Sequence, residues 1–302
     1  MTALRFDGQV VAVTGAGNGL GRAYALALAD RGARVVVNDL GGATDGTGAD
    51  ASTAERVVKE IEGAGGEAVA NTASVTDEAG AASIVQDAVA AWGRLDAVIS
   101  NAGILRDRSL AKLTTNELDI VLDVHLRGGF LVTVAAYRHM REHGGGRIVL
   151  TTSASGLFGN FGQANYAAAK LGLVGLLRVL AQEGAKAGVV ANAISPVAGT
   201  RLTGRTEDPA SDDPMAPGKV VPMALALAHP SCPSTGEIFL AGGGWFARPF
   251  VAVTSGWTPA SDELTPEAVL AHWEQIRGGE ILEPADAMAI GALIAERRSR
   301  AS

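Results

Sequence analysis

Short runs of apolar, mostly β-branched residues alternate with longer alanine-rich amphipathic stretches as far as residue 240. The runs are almost continuously apolar, which predicts strands that are covered on both faces of a sheet. Strands are predicted at residues 9–14, 33–38, 68–71, 97–100, 146–152, 189–195 and 237–240, and helices near residues 20–31, 50–64, 77–92, 115–142, 164–187 and 220–228. This alternation predicts an α/β fold with a doubly wound parallel sheet of the Rossmann type.

The pattern changes after Gly244, where aromatic residues become frequent and Thr265-Pro266 marks a predicted helix start. Aromatic side chains need burial. We therefore expect residues 1–245 to form a single domain, and residues 246–302 to form a C-terminal extension that packs on this domain or on a partner subunit.

Composition and charge exclude several classes of protein. The chain is 47% hydrophobic and 19% charged, with a net charge of −7 and no basic block, so nucleic acid is not expected as a partner. No unbroken apolar run reaches the ~18 residues of a membrane span, and residues 1–6 lack the apolar run of a signal peptide, so we expect a cytoplasmic protein. The single cysteine, Cys232, has no neighbours typical of a metal site, and no metal is expected.

A glycine-rich turn joins the first predicted strand to the first predicted helix. Residues 14–21 read TGAGNGLG, with Gly15, Gly19 and Gly21 in the spacing T-G-x-x-x-G-x-G. Glycine lets the backbone turn tightly and approach a pyrophosphate, whose charge then lies at the helix N-terminus. The pattern G-x-G-x-x-G does not fit, because Leu20 occupies its last glycine position. A plain glycine-rich strand–helix turn is the alternative interpretation.

Asp39 ends the second predicted strand, eighteen residues beyond Gly21, and a glycine-rich loop at residues 41–48 follows it. A carboxylate there can accept hydrogen bonds from both hydroxyls of an adenosine ribose and would repel a 2′-phosphate. No arginine stands beside it, so NAD is favoured over NADP as the cofactor. A simple turn residue would look the same. Asn101, Ala102 and Gly103 end another strand at the edge where a cofactor would lie.

Three residues suggest a proton-transfer site. Tyr166 and Lys170 are one helical turn apart, and Ser153 follows a predicted strand, thirteen residues before Tyr166. Tyrosine alone titrates near ~10, too high for a base at neutral pH, whereas a nearby ammonium favours the phenolate. Serine can donate a hydrogen bond that holds a substrate oxygen near Tyr166. Ser155 is a weaker alternative to Ser153.

These features together resemble the short-chain dehydrogenase/reductase family over roughly residues 5–245, and the segment 192–196 adds to the resemblance. The resemblance implies that Ser153, Tyr166 and Lys170 are catalytic and that Lys170 also binds the nicotinamide ribose. The expected cofactor-binding residues are Gly15, Asn18, Gly19, Leu20, Asp39, Ser74, Val75, Asn101, Ala102, Gly103, Tyr166, Lys170, Pro196, Ala198, Gly199 and Thr200.

One position departs from the family pattern. The family commonly has asparagine in V-N-L-x-G-x-F, where it holds a water that relays protons from the lysine. Residues 124–130 read VHLRGGF, with His125 in that place. An imidazole can relay protons itself, since its pKa lies near neutrality, and His125 is therefore a fourth candidate catalytic residue. The alternative is that the backbone alone holds the water and His125 only packs.

Residues 38–42, 104–109, 124–130 and 159–166 resemble one branch of the family, the (3R)-hydroxyacyl-CoA dehydrogenase portion of the peroxisomal multifunctional enzyme, also called 17β-hydroxysteroid dehydrogenase type 4. This resemblance reaches about residue 276. It implies NAD-dependent oxidation of a (3R)-3-hydroxyacyl-CoA to the 3-ketoacyl-CoA, in fatty-acid or steroid side-chain β-oxidation, by a freestanding dehydrogenase. Arginines at 106, 108, 201 and 205 are candidates for CoA contacts, although an arginine in such a position is more often a surface or structural residue.

Three other functions remain open. A dehydrogenase of free hydroxysteroids or other secondary alcohols would use the same residues. A 3-ketoacyl-carrier-protein reductase would use NADPH, and Asp39 argues against it. A non-catalytic dinucleotide-binding protein is disfavoured because Tyr166 and Lys170 are both present. Family members pair through two long helices, here near residues 115–142 and 164–187, so the resemblance implies a homodimer or homotetramer.

Overall fold

The seven apolar runs form seven parallel strands in the computed structural model, which describes residues 3–199, 213–259 and 264–301. A short eighth strand runs antiparallel to the seventh, and the sheet order is β3-β2-β1-β4-β5-β6-β7-β8. The Rossmann-type fold is confirmed. The strands are β1 Val10–Thr14, β2 Arg34–Asn38, β3 Glu67–Asn71, β4 Ala97–Ser100, β5 Gly146–Thr151, β6 Val189–Pro196, β7 Ile238–Gly242 and β8 Trp245–Ala247.

Helices cover both faces of this sheet because side chains alternate along each buried strand. In β1, Val11 and Val13 belong to one buried apolar cluster, while Val10 and Ala12 belong to the other. Helices α1, α2 and α8 complete the first cluster, and α3, α5 and α7 complete the second. The helices are α1 Gly19–Asp30, α2 Ser52–Gly63, α3 Glu78–Trp92, α4 Thr115–Leu122, α5 Gly128–Glu142, α6 Ala154–Phe158, α7 Ala164–Gly184 and α8 Val221–Ala228.

The strand order reverses between β1 and β4. From β1 the chain proceeds outward to β2 and β3, and then returns to place β4 on the other side of β1. Such a reversal opens a crevice outside the carboxyl ends of the strands, which is where ligands bind in doubly wound sheets. The fold therefore places any dinucleotide site above β1 and β4.

The helix predicted over residues 115–142 is not continuous. A π-helical segment, Asp123–Arg127, separates α4 from α5 and contains His125. Gly129 then passes so close to α7 that an added Cβ would lie 2.8 Å from Leu173 Cδ2. The hydrophobic pattern continues through this region and so gave no sign of the change in pitch. π-Helical turns of this kind often occur at functional sites.

Two helical stretches, Thr115–Glu142 and Ala164–Ala187, are long and apolar enough in length and composition to cross a membrane, although neither is an unbroken apolar run. Several of their apolar side chains, among them Val132, Met140 and Leu177, are buried in the cluster against the sheet. Packing on the sheet accounts for the apolar side chains on the buried faces of these helices.

The residues Pro249–Ser302 form a separate compact unit. Strand β9 (Val253–Thr254) pairs antiparallel with β10 (Ile281–Leu282). Thr265 caps the helix that starts at Pro266, as predicted, and the ring of Trp257 stacks on His272 at 4.1 Å. The expected packing of the extension on the first unit or on a partner subunit stays a prediction. The helices of this unit are α9 Pro266–Ala271, α10 Trp273–Arg277 and α11 Ala287–Ala301.

Helix α7 has one buried and one exposed face, so truncating a residue on each face should change stability by different amounts. Leu177 is fully buried, whereas Val179 is 53% exposed. We expect Leu177→Ala to lower the free energy of unfolding by about 2–5 kcal/mol, because it removes packed methyl groups and leaves a cavity. Val179→Ala is the matched control and should cost about 0.5 kcal/mol or less. Urea denaturation measures both, and the reverse order of effects would contradict the orientation of α7.

Candidate active site

The glycine-rich turn between β1 and α1 has no room for side chains. Gly15 has a φ of +64°, and an added Cβ would lie 2.8 Å from the Cα of Ala102. A Cβ on Gly21 would collide with the carbonyl oxygen of Gly15. Among the described residues, no side chain caps the first turn of α1, and that turn contains no acidic residue. Its free N–H groups and the helix dipole suit a pyrophosphate, so the turn fits a dinucleotide.

Asp39 lies beside this turn, nearly buried at 8% exposure. Its Oδ2 accepts a hydrogen bond from the backbone N–H of Gly17 at 2.8 Å, and its Oδ1 accepts one from Gly41 at 2.7 Å. A carboxylate oxygen can accept two hydrogen bonds, so each retains capacity for one ribose hydroxyl. We had not assigned Gly17 a role. A Cβ on Gly17 would lie 2.8 Å from Asp39 Oδ2, so only glycine fits at this position. In the sequence, the one sign of this role is that the motif contains one glycine more than its pattern requires.

The ends of β1 and β4 are tied together through one hydroxyl. Thr14 Oγ1 accepts hydrogen bonds from the N–H groups of Asn101 at 2.9 Å and Ala102 at 3.0 Å. The Asn101 amide donates in return to the carbonyl of Thr14 at 3.1 Å. These bonds hold Asn101, Ala102 and Gly103 at the wall of the crevice.

The crevice brings together ten of the expected cofactor-binding residues. They are Gly15, Asn18, Gly19, Leu20, Asp39, Ser74, Val75, Asn101, Ala102 and Gly103. We had not predicted nine further lining residues, four of them in or beside the loop after β2: Asn38, Leu40, Gly42, Ala43, Gly46, Ala73, Thr76, Ile104 and Val124.

The other expected cofactor residues are not part of that lining as far as the chain is described. Tyr166 and Lys170 lie on α7, and Pro196 ends β6 at the same edge of the sheet. Ala198 and Gly199 follow it, and the N–H of Gly199 donates to the carbonyl of Met215 at 2.6 Å. Thr200, Arg201 and Arg205 lie outside the described residues.

The structure brings the four predicted catalytic side chains together. Ser153 follows β5, and its hydroxyl accepts a hydrogen bond from the N–H of Ser155 at 3.1 Å. The same side chain acts on Tyr166 and lowers the pKa of its phenol. Lys170 Nζ lies 5.6 Å from the centroid of the Tyr166 ring. His125 contacts Tyr166 edge to face, with ring centroids 5.0 Å apart. This set can bind a hydroxyl or carbonyl oxygen and exchange a proton with it.

Burial dominates the electrostatics of this set. It raises the pKa of Tyr166, which the hydrogen bond with Ser153 lowers in part and the charge of Asp107 raises further. It lowers the pKa of Lys170 to about 7, with Nζ donating to the carbonyl of Thr151 at 2.7 Å. We had expected an ammonium to favour the phenolate. Desolvation instead favours the neutral tyrosine and the neutral amine, so the ionised pair needs a further positive charge.

His125 is buried and held by one backbone residue. Its Nε2 lies 2.7 Å from the carbonyl oxygen of Ile104 and 3.0 Å from its nitrogen, so the shorter contact assigns the proton to Nε2. Burial lowers the pKa of His125 well below its usual range, and the charge of Lys170 lowers it further. Its Nδ1 has no hydrogen-bond partner among the described residues. The ring is therefore neutral at neutral pH and presents one free acceptor.

Comparison with known proteins identifies the class. A family model for short chain dehydrogenases matches residues 9–210. The chain belongs to this family and is an oxidoreductase, and the dehydrogenases of the family bind a nicotinamide dinucleotide.

Individual relatives are similar over most of the chain. The mouse peroxisomal multifunctional enzyme type 2 is 50% identical over 275 residues, which are 90% of this chain but 37% of that protein. A hydroxyacyl-CoA dehydrogenase of Mycobacterium tuberculosis is 40% identical over 286 residues, 86% of this chain and 87% of its own length. The crystal structure of a short chain dehydrogenase from Mycobacterium avium superimposes with a TM-score of 0.81 at 40% identity, covering 92% of this chain and 99% of that one.

The buried Lys170 makes stability depend on pH. Its pKa falls from 10.5 in the unfolded chain to about 7 in the fold, so between these values the unfolded state binds more protons and stability rises with pH. Below pH 7 the cost of the buried charge is fully present. We expect Lys170→Met to raise the free energy of unfolding at pH 6 by an amount on the order of several kcal/mol, and therefore to raise the Tm. Activity should be lost.

This gain should shrink as the pH rises from 7 towards 10.5 and vanish above it, where Lys170 is neutral in both states. Thermal unfolding from pH 5 to pH 10 measures the difference between wild type and Lys170→Met. A Tm difference that does not change with pH would contradict the burial of the amine.

Proposed function

We propose that the protein is an NAD-dependent dehydrogenase that oxidises a (3R)-3-hydroxyacyl-CoA to the 3-ketoacyl-CoA in fatty-acid or steroid side-chain β-oxidation. The grouping of Ser153, Tyr166 and Lys170 beside the dinucleotide crevice supports the oxidation of a secondary alcohol. For the substrate, the supporting observation is 40% identity to a hydroxyacyl-CoA dehydrogenase along 87% of that protein's length. The chain spans only 37% of the mouse multifunctional enzyme. That enzyme therefore supports the substrate assignment only through the portion that aligns with this chain.

The crevice favours NAD through Asp39. The N-terminus of α1 would hold the pyrophosphate, and the two carboxylate oxygens of Asp39 would accept the ribose hydroxyls. A 2′-phosphate would meet this nearly buried negative charge and be repelled. When bound, the cofactor accepts the hydride from the alcohol carbon and brings the positive charge that the buried Tyr166–Lys170 pair needs.

The side chains of the site divide the proton chemistry between them. Ser153 donates a hydrogen bond to the substrate oxygen and holds it next to Tyr166. Tyr166 takes the hydroxyl proton as the carbon is oxidised, and Lys170 stabilises the phenolate from within the buried pocket. The burial of Lys170 lowers the local dielectric, which strengthens its interaction with the phenolate.

His125 offers an exit for the proton. Its neutral ring presents Nδ1 as an acceptor, while Nε2 is anchored on Ile104. A water donating to Nδ1 would lie within the field of Lys170, whose charge acts on the ring. We assign to His125 the role of holding this relay, in the place where the family commonly has asparagine.

The proposal also includes the assembly of the protein as a homodimer or homotetramer. Helices α5 and α7 carry the exposed apolar side chains Phe130 and Leu171. Burial of these side chains between two copies would support a homodimer or homotetramer. The cytoplasmic location expected above also remains a proposal.

The substrate assignment is tested by NAD reduction with the purified protein. The substrates are (3R)- and (3S)-3-hydroxyacyl-CoAs of equal chain length and free 17β-hydroxysteroids, each with NAD and with NADP. We expect turnover of the (3R) thioesters with NAD. Tyr166→Phe, which keeps the ring but removes the hydroxyl, should lower kcat at least 100-fold and leave NADH binding, followed by fluorescence, nearly unchanged.

Activity on free steroids with none on thioesters would contradict the acyl-CoA assignment and leave the roles of Ser153, Tyr166 and Lys170 intact. A higher kcat/KM with NADP than with NAD would contradict the role given to Asp39.

The relay is tested by His125→Ala. We expect kcat to fall about 100-fold with little change in the KM for NAD, because the proton path is lost while the crevice keeps its lining. His139→Ala, which removes a half-buried histidine from α5, is the control and should leave kcat unchanged. A kcat near that of the wild type in His125→Ala would refute the relay.

A further inference from the structure

Residues 41–50, here called the strap, cross the dinucleotide crevice. The strap leaves the carboxyl end of β2 and reaches residues 104–106, which follow β4. Strands β2 and β4 flank β1 in the sheet, so the strap passes over the carboxyl end of β1, across two strand spacings or about 10 Å. It therefore lies above the point where the strand order reverses, and Gly42, Ala43 and Gly46 form part of the crevice lining.

The strap has a defined internal structure. The N–H of Ala43 donates to the carbonyl of Thr47 at 2.8 Å, and that of Gly46 donates to Ala43 at 2.9 Å. Gly46 has a φ of +86°, and an added Cβ would lie 3.0 Å from Ile104 Cδ1. Only glycine combines this left-handed conformation with such close packing, so the strap is built to rest on Ile104.

Two hydrogen bonds close the strap on the far side of the crevice. The N–H of Leu105 donates to the carbonyl of Thr44 at 3.0 Å, and Arg106 Nε donates to the carbonyl of Asp45 at 2.7 Å. The guanidinium contact is short and charge-assisted, which makes it the stronger of the two. The carbonyl of Arg106 accepts in turn from the amide of Asn165 at 3.1 Å, the residue before Tyr166. Arg106 is thus anchored on α7 while its side chain holds the strap.

We propose that the strap closes over the bound dinucleotide and that Arg106 is the positioning residue that holds it closed. The proposal rests on the assignment of the crevice to a nicotinamide dinucleotide. With the strap in place, the cofactor leaves only after the contacts at Thr44 and Asp45 break. The interactions of Arg106 therefore slow the dissociation of the cofactor. The proton chemistry at Tyr166 does not depend on the side chain of Arg106.

The test compares Arg106→Ala with Arg106→Lys and with Arg34→Ala. Arg34 begins β2 at the opposite edge of the sheet, where it pairs with Glu67, so its removal is the matched control. Stopped-flow fluorescence gives the rate of NADH dissociation from each purified full-length variant. We expect Arg106→Ala to release NADH about tenfold faster than the wild type. Arg106→Lys, which keeps one charged donor, should recover part of this loss, and Arg34→Ala should match the wild type.

Hydrogen exchange in the protein without cofactor is a second, independent readout. In Arg106→Ala the amides of Ala43, Gly46 and Leu105 should exchange faster than in the wild type, because the bonds that protect them open more often. The amides of Val11 and Val13 in β1 should be unchanged, which would show that the fold is intact.

NADH dissociation from Arg106→Ala at the wild-type rate would overturn the proposal even if exchange were faster. The same acceleration in Arg34→Ala would also overturn it, because the effect would then not come from the strap. A wild-type protein that binds no NADH would instead refute the assignment of the crevice, and the strap proposal would fall with it.

Discussion

The hydroxyl of Thr14 is the interaction on which the rest of the site depends. It is fully buried and accepts two backbone N–H groups from the end of β4, so it joins the two strands between which the sheet order reverses. Loss of this oxygen would leave two part-buried backbone donors without their partner, at a cost of up to about 1–3 kcal/mol each. Because the glycine-rich turn starts from β1 and Gly103 and Ile104 follow β4, both walls of the crevice are positioned by this one contact.

The chemistry of the site requires burial that the fold would otherwise avoid. Lys170 is 3% exposed, and among the described residues no carboxylate pairs with it, only the carbonyl of Thr151. Tyr166 beside it is half-buried, and desolvation raises the pKa of its phenol, an effect that Ser153 offsets in part. Groups with strongly shifted pKa values and no structural partner of opposite charge are typical of active sites, where stability is lost in exchange for a usable proton affinity.

The sequence predicted the features that depend on local pattern. Buried parallel strands are continuous apolar runs, and the glycine turn, Asp39 and the Tyr166–Lys170 pair lie at fixed distances along one strand or helix, so each could be recognised without knowing the fold. What could not be predicted depends on contacts between distant segments. The π-helical turn around His125 leaves the hydrophobic period unchanged, and the role of Gly17 appears only when Asp39, twenty-two positions away, is placed against it.

The strap is a second feature that depends on contacts between distant segments. Its glycines were visible in the sequence, but their purpose depends on Ile104, which is 58 positions beyond Gly46 and meets it only because β4 lies next to β1. Ile104 also anchors the ring of His125. One residue therefore supports the proposed proton relay through its backbone and the proposed crevice cover through its side chain. A change at this position would disturb both the ring of His125 and the packing of Gly46.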